Sequence, residues 1–216
     1  MSRHTTYRLG GPARFYVRVA SIGALTRLVD VCEAEGVPWA VVGRGSNLLV
    51  SDEGFPGVVI SLGRDFRAMR VDDETHRFMV GAGVLLSAVV QEAFKRSLAG
   101  LEFAVGTPGT VGGALGMNAG SNLARRKKSQ PLNAACCGSV FRNPEGASAA
   151  ALIDELGLKG ASLGGARVSD VHANFIVNTG GATAHDVREL IGYLTAKVYE
   201  AYGIELTPEV RFLGFE

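Results

Sequence analysis

Trp39-Ala40-Val41-Val42-Gly43-Arg44-Gly45-Ser46-Asn47-Leu48 reads as a short apolar strand that runs into a glycine loop. Upstream, Phe15–Val19 has a strand pattern, and Ser21 stands ready to cap a helix with Leu25, Leu28, Val29 and Cys32 at i, i+3, i+4, i+7 spacing. Gly36 and Pro38 close that helix in the expected order. Strand, helix, strand and glycine loop together form a nucleotide-binding layout. Glycine lets the backbone approach a phosphate where a Cβ would block it, and successive N–H groups facing one concavity bind an anion. The loop is not G-x-G-x-x-G, and no G-x-x-x-x-G-K-[ST] occurs, so neither a Rossmann fingerprint nor a P-loop is supported. A tight surface turn and a phosphate cradle both stay open for it.

Further along, Val58–Leu62 and Phe78–Val80 read as strands, with a polar connection around Asp72–Thr75. A helix follows from about Leu85, with Leu86, Val89, Val90, Ala93 and Phe94 on one face. The densest glycine segment comes next: Gly106-Thr107-Pro108-Gly109-Thr110-Val111-Gly112-Gly113-Ala114-Leu115-Gly116-Met117-Asn118-Ala119-Gly120. It carries no charge, so it is no ordinary exposed loop. Close backbone packing and a wall against a flat or phosphorylated cofactor are its two readings, and two such segments in one chain favour a dinucleotide between them. The basic run Arg125-Arg126-Lys127-Lys128 marks a boundary. Beyond it, a turn falls at Asn143-Pro144, a short helix carries Leu152, Ile153 and Leu156, and Phe175–Val177 reads as a strand. Thr183 and Asp186 form a capping-box pattern for a helix with Val187, Leu190, Ile191, Leu194 and Val198 on one face and Gly203 at its end. Val210–Phe215 reads as a closing strand, and the architecture is mixed α and β.

Composition narrows the class. The 216 residues are 47% hydrophobic, and 22 basic against 21 acidic side chains give a net charge of +1. That balance argues against nucleic-acid binding, which calls for a basic face. No apolar run reaches the ~18 residues of a membrane span. The opening residues lack an apolar stretch of signal-peptide length, so a cytoplasmic location is expected. Three cysteines, Cys32, Cys136 and Cys137, make no disulfide framework. Glycine, at 29 residues, is near twice the usual share of roughly 7%.

The blocks Gly43-Arg44-Gly45-Ser46-Asn47-Leu48-Leu49, Gly106 to Gly120, Gly138-Ser139-Val140-Phe141-Arg142-Asn143-Pro144, His172-Ala173-Asn174-Phe175-Ile176-Val177-Asn178 and Pro208-Glu209-Val210-Arg211 stand in one order from Thr5 onward. In that order they resemble the UDP-N-acetylenolpyruvoylglucosamine reductases, in the shorter of two subtypes. The resemblance implies an α+β fold: a vanillyl-alcohol-oxidase-type FAD-binding region of two α/β subdomains, then a C-terminal α/β substrate domain. The expected division is 1–52 and 53–124 for the two FAD subdomains and 125–216 for the substrate domain. It also implies NADPH-dependent, FAD-mediated reduction of the enolpyruvyl ether of UDP-N-acetylglucosamine to UDP-N-acetylmuramate for peptidoglycan. By the same resemblance, Ser139 donates a proton and Glu209 orients or protonates the developing enolate. FAD would contact Gly43, Arg44, Gly45, Ser46, Asn47 and Leu48, together with Gly106, Thr107, Pro108, Gly109, Thr110, Gly112, Gly113, Ala114, Asn118 and Ala119. Asn143, Lys128, His172 and Asn174 are the expected substrate contacts, although Lys127 and Lys128 equally suit a solvated linker. The expected partner is a small molecule, with no metal, nucleic acid or membrane, and the chain is expected to be a monomer.

One departure stands out. Between Asn118-Ala119-Gly120 and the basic run, family members carry several tens of residues that complete the second FAD subdomain and include a Tyr-Arg-x-Ser stretch. Here Ser121-Asn122-Leu123-Ala124 is all that stands there, so the second subdomain is truncated and no catalytic arginine is carried over. A non-catalytic or degenerate flavin- or UDP-sugar-binding relative is the alternative, and another flavin oxidoreductase of the same fold a weaker one.

Overall fold

The computed structural model describes residues 1–117, 130–131 and 134–215. In chain order the elements are β1 (Ala13–Val19), α1 (Ile22–Ala34), β2 (Trp39–Val42), β3 (Leu48–Val50), β4 (Phe55–Leu62), β5 (Met69–Asp72), β6 (Arg77–Val80), α2 (Leu86–Lys95) and α3 (Val111–Gly116). There follow α4 (Ala149–Glu155), β7 (Ser162–Leu163), β8 (Ala166–Val168), β9 (Ile176–Asn178), α5 (Ala184–Tyr202) and β10 (Arg211–Leu213).

The chain forms two compact units, one of Ala13–Arg44 and Pro56–Arg126, the other of Met1–Pro12, Gly45–Phe55 and Lys127–Glu216. Compactness therefore cuts the chain differently from a linear division at 52 and 124, and one of its crossings, between Arg44 and Gly45, falls inside the first glycine loop.

In the first unit, a three-stranded sheet has the order β1-β4-β2, with β2 and β4 parallel. Alternation along β4 sends Val58 and Ile60 to one face, where they meet Val19 and Cys32 with Leu25, Leu28 and Val29 of α1 packed against them. Ser21 caps α1 as its sequence position implies, accepting from the Ala24 N–H at 3.3 Å. The polar connection near Asp72 proves to be a hairpin turn: Asp72 Oδ1 accepts from the N–H groups of Glu74 and Thr75, each at 3.0 Å, between the antiparallel β5 and β6.

In the second unit, the antiparallel sheet β7-β8-β9 packs against α5. Val187, Leu190, Ile191, Leu194 and Val198 of α5 are buried with Val140, Phe141, Ile153, Val168 and Ile176. The Thr183–Asp186 capping box is present, and Gly203 ends the helix in the left-handed conformation. Asp52 adds a clamp that the local sequence does not announce. Its carboxylate accepts from the N–H groups of Ala184 and His185, at 2.8 and 2.9 Å, satisfying donors that a helix start leaves unpaired. The segment around Asp52 is held to the chain end by β3, which pairs in parallel with β10: Leu48 lies opposite Arg211 and Val50 opposite Leu213. The closing strand is thus shorter than the 210–215 span read from the sequence.

Candidate active site

The Ser139 and Glu209 blocks meet in the second unit. Phe141 and Pro208 form an antiparallel bridge. On one side of it, the Arg142 N–H donates to the Thr207 carbonyl at 3.0 Å; on the other, the Glu209 N–H donates to the Val140 carbonyl at 2.7 Å. Ser139 is half-buried and follows Gly138, whose φ of 88° suits glycine and turns the chain into this pairing. The Glu209 carbonyl also accepts from Asn47 Nδ2 at 3.0 Å, which ties the first glycine loop to the Glu209 segment.

Glu209 is a partly buried acid. Burial raises its carboxyl above the ordinary range, and the positive charge of Arg142 offsets part of that rise. A carboxyl so placed keeps its proton to higher pH than an exposed one and is suited to hold or deliver it.

Three expected substrate contacts make hydrogen bonds within the fold. Asn174 is buried at 4% exposure. Its Oδ1 accepts from the Phe141 N–H and its Nδ2 donates to the Phe141 carbonyl, both at 2.8 Å. The Asn174 carbonyl accepts from the Val140 N–H at 2.9 Å. Both polar atoms of this side chain hold the Phe141 backbone and so position the loop. His172 Nδ1 accepts from the Asn174 N–H at 3.2 Å, and its ring stands edge-on to Phe175 with centroids 4.9 Å apart. Asn143 is exposed, and its Oδ1 accepts from the Ala149 N–H at 3.1 Å, at the start of α4. Its amide nitrogen projects from an exposed residue beside Arg142. Lys128, Asn118 and Ala119 lie outside the described residues.

Behind the loop, Cys137 and Tyr7 are buried side by side. Burial pushes the Cys137 thiol up to about 12, so it is no nucleophile near neutral pH. Among the described residues no group of His, Cys, Asp and Glu is placed to hold a metal ion, and no helix is long and apolar enough to cross a membrane.

In the first unit the glycine segments meet one another. A Cβ on Gly43 would stand 2.8 Å from Thr110 Oγ1. The second segment is not simply a loop: Thr110 caps α3, its hydroxyl accepting from the Gly113 N–H at 3.3 Å. The helix forms despite glycine's poor propensity because the segment is laced to its neighbour. The Val111 and Gly112 N–H groups donate to the Val84 and Ala82 carbonyls, each at 2.9 Å, and the Leu86 N–H donates to the Gly109 carbonyl at 3.2 Å. Ala114 lies within α3, while Gly106 and Gly109 adopt φ values of 73° and 111° on either side of Thr107-Pro108.

The glycines divide into two kinds. A Cβ on Gly45 would fall 2.1 Å from the His4 carbonyl oxygen, at a φ of 62°, and one on Gly112 would fall 2.8 Å from the Ala82 Cβ. Those two are glycine because the protein's own backbone approaches them. Gly113 and Gly116 face almost nothing, Gly113 meeting only Thr110 Oγ1 at 3.4 Å and Gly116 nothing within 4 Å. Their bare backbone faces outward. The backbone N–H groups of Arg44, Gly45 and Ser46 donate to no described residue. Gly45 and Ser46 of the second unit present successive N–H groups that suit a phosphate, and α3 of the first unit presents a side-chain-free helix face that suits a flat group. Leu48 belongs to β3 and contributes by anchoring that loop.

This mixed α/β chain is a flavin-dependent oxidoreductase: residues 13–137 match the family model described as FAD binding domain, and its similar relatives are reductases. Residues 130–213 match that of the UDP-N-acetylenolpyruvoylglucosamine reductase C-terminal domain. The chain is 41% identical to the UDP-N-acetylenolpyruvoylglucosamine reductase of Heliobacterium modesticaldum, over 99% of this chain and 89% of that protein. It is 34% identical to that of Bacillus subtilis, over 99% and 92%. The crystal structure of the Thermus caldophilus enzyme superposes with a TM-score of 0.80 at 33% identity, covering 98% of this chain and 96% of that one. The chain belongs to the UDP-N-acetylenolpyruvoylglucosamine reductase family. The Heliobacterium alignment runs over 281 positions against the 216 residues present here, so at least 65 of those positions have no counterpart in this chain.

Proposed function

We propose that this chain reduces the enolpyruvyl ether of UDP-N-acetylglucosamine to UDP-N-acetylmuramate, with NADPH as electron source, in the cytoplasm and as a monomer, for peptidoglycan synthesis. The carrying observation is the pairing of the Ser139 loop with the Glu209 segment through Val140, Phe141 and Pro208, with a carboxyl there that burial keeps inclined to hold its proton. We assign residues 1–52 and 53–124 to a vanillyl-alcohol-oxidase-type FAD region with a truncated second half, and 125–216 to the substrate domain.

FAD, when bound, passes hydride equivalents from NADPH to the β-carbon of the enol ether. The protein's residues manage the rest. Gly45 and Ser46 offer N–H groups to phosphate; within the other unit, Gly113 presents a face without a side chain. As β-carbon addition proceeds, negative charge gathers at the α-carbon and its carboxylate. Ser139 gives its proton to the α-carbon and regains one from solvent. A hydroxyl is a weak acid, but a carbanionic centre is basic enough to take its proton when the two are held together. Glu209, protonated, donates a hydrogen bond to the enolate oxygen and limits the charge that Ser139 must answer. Asn174 acts indirectly, by fixing Phe141 and with it both neighbours of the loop.

The test separates two half-reactions. In Ser139→Ala, flavin reduction by NADPH stays near the wild-type rate while reoxidation by the enolpyruvyl nucleotide slows ~10²–10⁴-fold. Equal slowing of both would make Ser139 a structural residue. A wild-type protein that consumes no NADPH with the enolpyruvyl nucleotide would overturn the proposed reaction.

A further inference from the structure

The reaction proposed above gathers negative charge beside a carboxylate, and the arginine of the family's Tyr-Arg-x-Ser stretch is not in this sequence. Another cation stands at the Ser139 loop. Arg142 and Glu209 lie diagonally across the pair that Phe141 and Pro208 form, with Arg142 held opposite Thr207 and Glu209 opposite Val140. Diagonal positions of such a pair are within reach of long side chains. The Arg142 backbone is fixed from two directions, by its own N–H on Thr207 and by the Asn174 amide that grips Phe141 just before it. Its side chain is exposed and enters no ion pair among the described residues.

We infer that Arg142 binds the carboxylate of the enolpyruvyl substrate beside Glu209. This rests on the reading of the reaction given above. A guanidinium presents paired N–H donors in a plane that matches a carboxylate, which an ammonium cannot do. The carboxylate, rather than the diphosphate, is assigned to Arg142 because that group is bonded directly to the α-carbon, the atom that Ser139 and Glu209 serve.

The arrangement also couples binding to proton supply. Arg142 is near enough to pull the Glu209 carboxyl down, yet not salt-bridged to it, so burial still wins. The Cys137 thiol, the other titratable group that faces Glu209, is buried and neutral. When a carboxylate occupies Arg142, its pull on Glu209 is cancelled and a second negative charge arrives nearby. Both changes favour the protonated acid. Substrate binding therefore favours the protonated Glu209 that hydrogen-bonds to the enolate oxygen.

The experiment uses the FAD-loaded protein, with Arg142→Ala and Arg142→Lys, and measures binding of two nucleotides by calorimetry: the enolpyruvyl ether and UDP-N-acetylglucosamine, which lacks the carboxylate. Arg142→Ala weakens the enolpyruvyl nucleotide roughly 10–100-fold and leaves UDP-N-acetylglucosamine within about twofold; Arg142→Lys falls between. Carbon-13 titration of the glutamate carboxyls, with Glu209 assigned through Glu209→Gln, shows the Glu209 midpoint moving up in Arg142→Ala. Unchanged affinity for the enolpyruvyl nucleotide, equal weakening of both nucleotides, or an unmoved Glu209 midpoint each overturns the assignment. A wild-type protein that discriminates the two nucleotides but consumes no NADPH would overturn the reaction and leave Arg142 in place.

Discussion

Asn174→Ala tests how the fold holds the reactive loop. The asparagine makes two hydrogen bonds of 2.8 Å to the N–H and carbonyl of Phe141, and Phe141 is itself 1% exposed. Alanine leaves both backbone groups buried without a partner, since water has no access. Each such group costs about 1–3 kcal/mol, so the expected loss is about 2–6 kcal/mol, a large part of the roughly 5–15 kcal/mol that holds a domain folded. The Val140 N–H keeps its bond to the residue-174 carbonyl, so the loop loosens at Phe141 and Arg142 first. Urea denaturation followed by circular dichroism reads the loss as a lower midpoint at unchanged slope. Asn174→Asp adds a signed check. Its carboxyl can donate to the Phe141 carbonyl only when protonated, so the folded state raises its pKa and the variant grows more stable as pH falls through that value. A change under about 0.5 kcal/mol in Asn174→Ala, the range of an ordinary surface substitution, would refute the clamp.

Glu209 acts as a proton holder, so turnover is full below its raised pKa and declines as pH rises through it; Glu209→Gln lowers the rate and removes that limb from the profile. A wild-type profile without the limb, or a glutamine variant that keeps it, counts against the role. The two kinds of glycine separate folding from flavin binding. Gly45→Ala melts at lower temperature because its Cβ meets the His4 carbonyl, whereas Gly113→Val keeps the melting temperature and loses absorbance near 450 nm, roughly where bound flavin absorbs; the opposite pattern would reject this division. Met79, Phe94 and Leu115 stand at 72%, 84% and 77% exposure; with the family segment absent, we expect low stability, weak FAD binding and slow turnover, and a family-like segment grafted after Asn122 restores all three. Full activity in the ungrafted protein would show the segment to be dispensable.

What could be read from the sequence was what its determinants keep local. The helix of Ala184–Tyr202 carries its cap, its apolar spacing and its terminating Gly203 within itself, and all three stand as expected. The helix of Val111–Gly116 was hidden because its glycines argue against it; Thr110 and the carbonyls of Ala82 and Val84 override that preference. The three-residue strand at Leu48–Val50 was equally hidden, since its partner strand lies at the far end of the chain. Ser139 and Glu209 stand in family blocks, and the structure pairs those two blocks. Arg142 lies within one of those blocks, but an arginine before Asn-Pro has no spacing that marks it. Its relation to Glu209 exists only once Phe141 meets Pro208. Asn174 drew attention as a polar residue near a strand entry, and only its burial shows that it serves the backbone.

The parallel pairing of Leu48–Val50 with Arg211–Leu213 has a consequence for biosynthesis. Asn47 and Glu209, joined beside that pairing, are 162 residues apart. At the ~5–20 residues per second of translation, Leu49 and Val50, both fully buried in the finished protein, wait about 8–30 s for the strand that pairs with them. Throughout that interval the nascent chain presents a sticky edge next to its own glycine loop. This half of the protein can close only once Arg211–Leu213 have been made, which makes it the half that chaperones would have to guard.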